Sequence, residues 1–93
     1  MAKIILEDDW SDYDNKKIRD RRDSKKFSCT EQWEIEYLVT KICKHYPQYS
    51  KQEVLAVIKQ VCTEDIAPHP RDRFVQRVMQ ILSSKAFFRS LIK

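Results

Sequence analysis

The chain has 93 residues, 34% of them charged and 42% hydrophobic, a net charge of +4 at pH 7 and no glycine. That length allows one small domain. Without glycine there is no phosphate-cradling loop and no dinucleotide fingerprint, since both need positive φ or close backbone approach. A mainly helical fold with simple connections is therefore favoured, and the mild basicity is compatible with an anionic partner without demanding one.

Residues 1–27 differ in character from the rest. After "KIIL" comes the acidic, aromatic stretch "EDDWSDYD" (Glu7 to Asp14), then "KKIRDRRDSKK" (Lys16 to Lys26), with seven cations in eleven residues. Few side chains here suit a core, so the segment is expected to form a mobile, self-screened N-terminal arm. Its opening apolar run is too short for a secretory signal. No apolar run anywhere reaches the roughly 18 residues of a membrane span. A cytoplasmic setting without membrane insertion is the expectation. The odd set Cys29, Cys43 and Cys62 then reads as reduced thiols, with Cys43 and Cys62 packed as small apolar residues.

A folded domain is expected over residues 28–93. Ser28 followed by Glu31 reads as a capping box for the first helix, whose apolar stripe is Ile35, Leu38, Val39, Ile42 and Tyr46. Pro47 ends it. Ser50 and Glu53 form a second capping box, opening a helix with Val54, Ile58, Val61 and Cys62 on its buried face and Leu55 and Val57 on the shoulders. "APHP" breaks the chain, and Pro70 suits the first position of a third helix with Phe74, Val75, Val78, Met79 and Leu82 inward. Continued in phase, that helix would put Lys85 and Arg89 on its apolar face. A break at Ser83–Ser84 and a short fourth helix are therefore expected. The fold class is all-α: a three-helix bundle with a short fourth C-terminal helix and a mobile N-terminal arm.

Two features are candidates for function. Trp33 and Tyr37, four residues apart, lie opposite the first helix's apolar stripe. Either "KIIL" or Trp10 from the N-terminal segment, or the fourth helix, folds back over them, or they anchor a protein partner or a second copy of the chain. The C-terminal third is the most basic folded part, and Arg73, Arg77, Lys85, Arg89 and Lys93 are the candidates for contacting nucleic-acid phosphates. No catalytic residues, cofactor, small-molecule site or metal site is expected. Cys43 and His45, two apart on a helix, point in different directions, and Cys62 with His69 has no zinc spacing.

"EQWEIEYLVTKI" (Glu31 to Ile42) and "SKQEVLAVIKQV" (Ser50 to Val61) together resemble a family of short bacterial helical domains of unknown function. Trp33, Glu34, Ile35 and Tyr37 match its acidic-aromatic motif, and Ser50, Lys51, Ala56 and Lys59 its second helix opening. The resemblance implies a bacterial cytoplasmic setting and no assigned activity. The leading expectation is a non-enzymatic interaction module using Trp33 and Tyr37, with a nucleic-acid-binding accessory protein as the alternative.

Overall fold

The computed structural model describes residues 2–64 and 69–92, with side chains described for 2–64 and 69–84. In chain order the elements are α1 (Ala2–Leu6), α2 (Ser11–Arg19), β1 (Lys26–Phe27), α3 (Gln32–His45), α4 (Lys51–Glu64), β2 (His69–Pro70) and α5 (Arg71–Ile92). The protein is thus mostly α-helical. β1 and β2 pair antiparallel, Lys26 opposite Pro70 and Phe27 opposite His69. Phe27 stacks on Phe74 with ring centroids 4.3 Å apart, so this short ladder ties the N-terminal half to the start of α5.

The three expected apolar stripes are buried almost as read. Ile35, Leu38, Val39 and Ile42 on α3, Val54, Ile58 and Val61 on α4, and Phe74, Val75, Val78, Met79 and Leu82 on α5 form one core. Val57, expected on a shoulder, is fully buried. The expected closure of three helices is corrected. α4 packs on both α3 and α5, and α1 also packs on both of them, so the short N-terminal helix is the fourth wall of the core. Ile5 has no exposed surface.

The mobile arm is corrected with it. Trp10, Tyr13 and Lys17 are buried, and their spacing of three and four residues places them on one face of α2 and its cap. The Trp10 indole donates to the Ile5 carbonyl at 2.9 Å, which fixes the elbow between α1 and α2. The exit from α2 is a Schellman turn: the Arg22 amide bonds the Lys17 carbonyl and the Arg21 amide the Ile18 carbonyl. Arg21 takes the left-handed conformation there, φ 56°. Glycine usually fills this position; in this chain an arginine does, against an intrinsic penalty of roughly 1–2 kcal/mol.

Three local readings also change. The Ser28–Glu31 box does not form: Glu31 occupies the cap position of α3 without a side-chain cap, because the Ser28 amide is already bonded to Glu34 at 3.0 Å. At α4, by contrast, Ser50 Oγ accepts from the Glu53 amide at 3.0 Å as expected. Pro70 lies in β2, one residue ahead of α5. Finally, α5 is continuous through Ser83–Ser84, with Ser83 Oγ donating back to the Gln80 carbonyl at 3.0 Å. A serine that satisfies its hydroxyl on the preceding turn does not need to end a helix. The side chains of Lys85 and Arg89, on which the expected break rested, lie outside the described residues.

Cys29 and Cys62 form a disulfide between the loop before α3 and the last turn of α4, with Cα atoms 5.9 Å apart. This corrects the expectation of reduced thiols, since neither helix periodicity nor local spacing reveals that α4 ends beside that loop. Cys43 is a free, half-buried thiol. The bond closes a loop across a sequence separation of 33, for which chain-entropy reasoning gives roughly 3–4 kcal/mol. Reduction with the fold otherwise intact should lower the unfolding free energy by about that amount in urea titrations with and without reductant. Ile5→Ala should cost roughly 2–5 kcal/mol, as a core truncation does; a mobile arm would give no measurable change.

Candidate functional site

Trp33 and Tyr37 project from one face of α3, and α2 with its cap covers part of that face. Tyr13 lies against both rings, 5.3 Å from Trp33 and 5.4 Å from Tyr37, and Trp10 is 5.5 Å from Tyr37. Trp33 and Tyr37 are left half-buried at the rim of this aromatic cluster. Two cations lie over the rings: Lys16 Nζ is 4.6 Å from the Trp33 centroid, and Lys41 Nζ is 4.9 Å from that of Tyr37. The N-terminal segment is therefore the cover, and it leaves an edge.

Beneath the cluster is a buried ionic centre. Glu34, with no exposed surface, accepts on Oε1 from Tyr13 Oη at 2.6 Å, Lys17 Nζ at 2.9 Å and the Ser28 amide. Lys17 also donates to the Lys26 carbonyl at 2.8 Å. Burial and the adjacent carboxylate push the Tyr13 phenol well above its usual range. A Tyr–Glu–Lys group can in principle move protons, but none of the three side chains is open to a reactant here. The arrangement positions the cluster above it.

Arg71, first residue of α5, supports the cluster from the other side. It pairs with Asp14 at 2.8 Å, and its guanidinium lies 4.6 Å from the Trp10 ring centroid.

At the outer edge Asp8 holds α1's exit loop onto α3. Its Oδ2 contacts His45 Nε2 at 2.8 Å, Lys41 Nζ at 3.2 Å and Lys44 Nζ at 3.6 Å. The His45 hydrogen bond, then the Asp9 amide and Lys41, hold the Asp8 carboxyl well below the usual carboxylate range. Between these elements opens a cleft of about 500 Å³, lined by Asp8, Asp9, Asp12, Trp33, Glu36, Tyr37, Thr40, Lys41 and Lys44. Tyr37 donates across its end to the Asp9 carbonyl at 3.2 Å. Burial, with Asp12, Asp9 and Asp8 nearby, raises the Tyr37 phenol.

Of the cations expected to contact phosphates, two have described side chains. Arg77 holds Glu64 through two bonds of 2.9 and 2.8 Å. Arg73 is exposed one turn earlier, and the side chains of Lys85, Arg89 and Lys93 lie outside the described residues. Among the described residues no group of three or more His, Cys, Asp or Glu side chains could hold a metal ion, and no helix is long and apolar enough to cross a membrane. Sequence reasoning named Trp10 as one candidate cover, and missed Tyr13, Asp12, Lys16, Lys41 and Arg71 as site residues. The available signal was the spacing of Trp10, Tyr13 and Lys17, which was outweighed by the charge around it.

No protein-family model matches the chain, and neither a curated protein nor a solved structure matches it.

Asp8 also sets an acid dependence. A carboxyl whose folded pKa is depressed contributes stability above its unfolded value, near 3.8, and loses that contribution as pH falls below it. Lys41, Lys44, His45 and Asp9 are the charged or titratable groups facing it. Asp8→Asn should therefore lower the melting temperature at pH 6 and narrow the gap from wild type as pH drops from about 4 to 2. A gap independent of pH in thermal melts would contradict this role.

Proposed function

We propose that the chain is a non-enzymatic interaction module that binds a protein partner, or a second copy of itself, through the cleft edged by Trp33 and Tyr37. The observation that carries this reading is the incomplete cover. Two large aromatics remain half-exposed beside a 500 Å³ cleft, at the rim of a segment whose own Trp10 and Tyr13 are buried. Trp and Tyr are favoured anchors at interfaces because they combine large contact area with few rotatable bonds. The ionic groups of the site brace these rings.

The nucleic-acid alternative has less behind it. Of the two candidate cations with described side chains, Arg77 is committed to Glu64 and Arg73 is exposed with no ion pair among the described residues. The disulfide also weighs against a reducing cytoplasmic setting, where such bonds are rare.

Trp33→Ala is the direct test. Because Trp33 is half-buried, truncation should cost roughly 1–2 kcal/mol, less than the 3–5 typical of a core Trp. Concentration-dependent association of the wild type, followed by light scattering, should be lost in the variant while helical circular dichroism is kept. A wild type that stays monomeric at every concentration removes the second copy as the occupant and leaves the separate partner. A fall in melting temperature of core-truncation size, with association unchanged, would overturn the face itself.

A further inference from the structure

The cleft has a charge as well as a shape. Of its four acids, Asp8 is committed to Lys41, Lys44 and His45. Asp9, Asp12 and Glu36 are exposed and carry no ion pair among the described residues. Asp9 accepts from the Ser11 amide at 2.8 Å with Lys41 nearby, and Glu36 accepts from Gln32 at 3.4 Å, so neither is held in a direct ion pair among the described residues. The aromatic edge already carries cations of the chain itself. Lys41 is buried and bound to Asp8 and the Asp9 carbonyl, so it belongs to the framework. Lys16 is different: it lies over Trp33, is half-exposed and has no ion pair among the described residues.

We propose that this cleft receives a cationic segment of a partner protein, an arginine or lysine side chain displacing Lys16 over Trp33 while its neighbours pair with Asp9, Asp12 and Glu36. The inference rests on the interaction-module reading and adds the partner's chemistry. Two arguments select a cation, and a third confines the attraction to this cleft. The ring faces attract positive charge through their quadrupoles, and the placement of Lys16 and Lys41 shows the geometry in use. The unpaired acids lie at the rim, where complementary charge steers encounter and fixes orientation. Finally, the chain as a whole carries +4, so generic electrostatics repels a cationic peptide and attraction has to come from this local arrangement. A guanidinium suits it best, because it stacks flat on a ring while its edge bonds carboxylates.

The test uses the full-length oxidised chain and fluorescein-labelled oligoarginine, with oligoglutamate as the control, followed by fluorescence anisotropy. Oligoarginine should bind and weaken at least tenfold between low and high salt, while oligoglutamate should not bind at this cleft. The double variant Asp12→Asn/Glu36→Gln, exposed and conservative, should bind oligoarginine at least tenfold more weakly with an unchanged melting temperature. Trp33→Leu should weaken it too, by loss of the ring. Absence of oligoarginine binding, or binding untouched by the double variant, overturns the cationic partner. In that event, self-association lost on Trp33→Ala but kept in the double variant identifies a second copy as the occupant and preserves the module reading. Self-association of the wild type that persists in both variants overturns both.

Discussion

The placement of Glu34 is the constraint on which the rest of the structure depends. A carboxylate with no exposed surface is tolerated only when paired and hydrogen-bonded. Three donors from two places converge on its Oε1, Tyr13 and Lys17 on α2 and the Ser28 backbone beyond β1, while Oε2 has only Arg22 at 3.9 Å. Each donor fixes one degree of freedom of the N-terminal segment relative to α3. A well-packed apolar substitute for the pair could match its stability, so the contribution of Lys17 and Glu34 lies mainly in specifying where α2 sits. Removing one partner alone is another matter. It strands the other charge, at a cost of roughly 3–5 kcal/mol.

From that centre the constraint spreads outward. Because Lys17 also bonds the Lys26 carbonyl, the strand β1 is held beside α2, and β1 in turn pairs with β2 just ahead of α5. The Schellman turn at Arg21 brings Arg22 back toward α3, where its Nη1 pairs with Glu31 at 2.5 Å and lies 3.9 Å from Glu34 Oε2. Arg71 closes the circuit, its amide bonded to the Lys25 carbonyl and its side chain to Asp14. Tyr13 is clamped through its hydroxyl and supports Trp33 and Tyr37 through its ring. The geometry of the outer cleft is thus an indirect product of the buried ion pair.

Much of the fold was legible from residue spacing, and the reason for the failures is specific. The stripes of α3, α4 and α5 follow the helical period with apolar residues throughout, so periodicity finds them. On α2 the same stripe is Trp10, Tyr13 and Lys17, and its third member is a cation. A composition argument assigns such a segment to solvent, because the residue that neutralises Lys17 lies 17 positions away on another helix. The Ser28 capping box failed for a related reason: its local grammar is correct, but a buried carboxylate from farther along the chain takes the Ser28 amide first. On the candidate site, the i, i+4 pair of Trp33 and Tyr37 was visible. Its cover was legible only as a choice among "KIIL", Trp10 and the fourth helix, and the acids beside it were not legible, because the acidic stretch was assigned to a mobile segment.

The polarised N-terminal sequence becomes a separation of charge in space. Among the acids of "EDDWSDYD", Glu7 approaches Lys3 at 3.9 Å, Asp8 is tied to α3 and Asp14 to Arg71, leaving Asp9 and Asp12 at the cleft. Among the cations of "KKIRDRRDSKK", Lys17 is in the core, Lys16 is on Trp33 and Arg22 is on Glu31. Arg19, Arg21 and Lys25 are exposed and lack ion pairs among the described residues; they cluster where α2 ends and turns. A self-screened tail would mix the two signs. Folding separates them only in part: the unpaired Asp9 and Asp12 lie beside the aromatic edge, while the exposed Asp20 and Asp23 stay among the cations at and beyond the C-terminal end of α2. At ordinary ionic strength charges act over roughly 8–10 Å, and α2, nine residues long, spans about 13 Å at 1.5 Å per residue. The free cations at its far end are therefore largely screened from the cleft, whose field is set by the groups that line it.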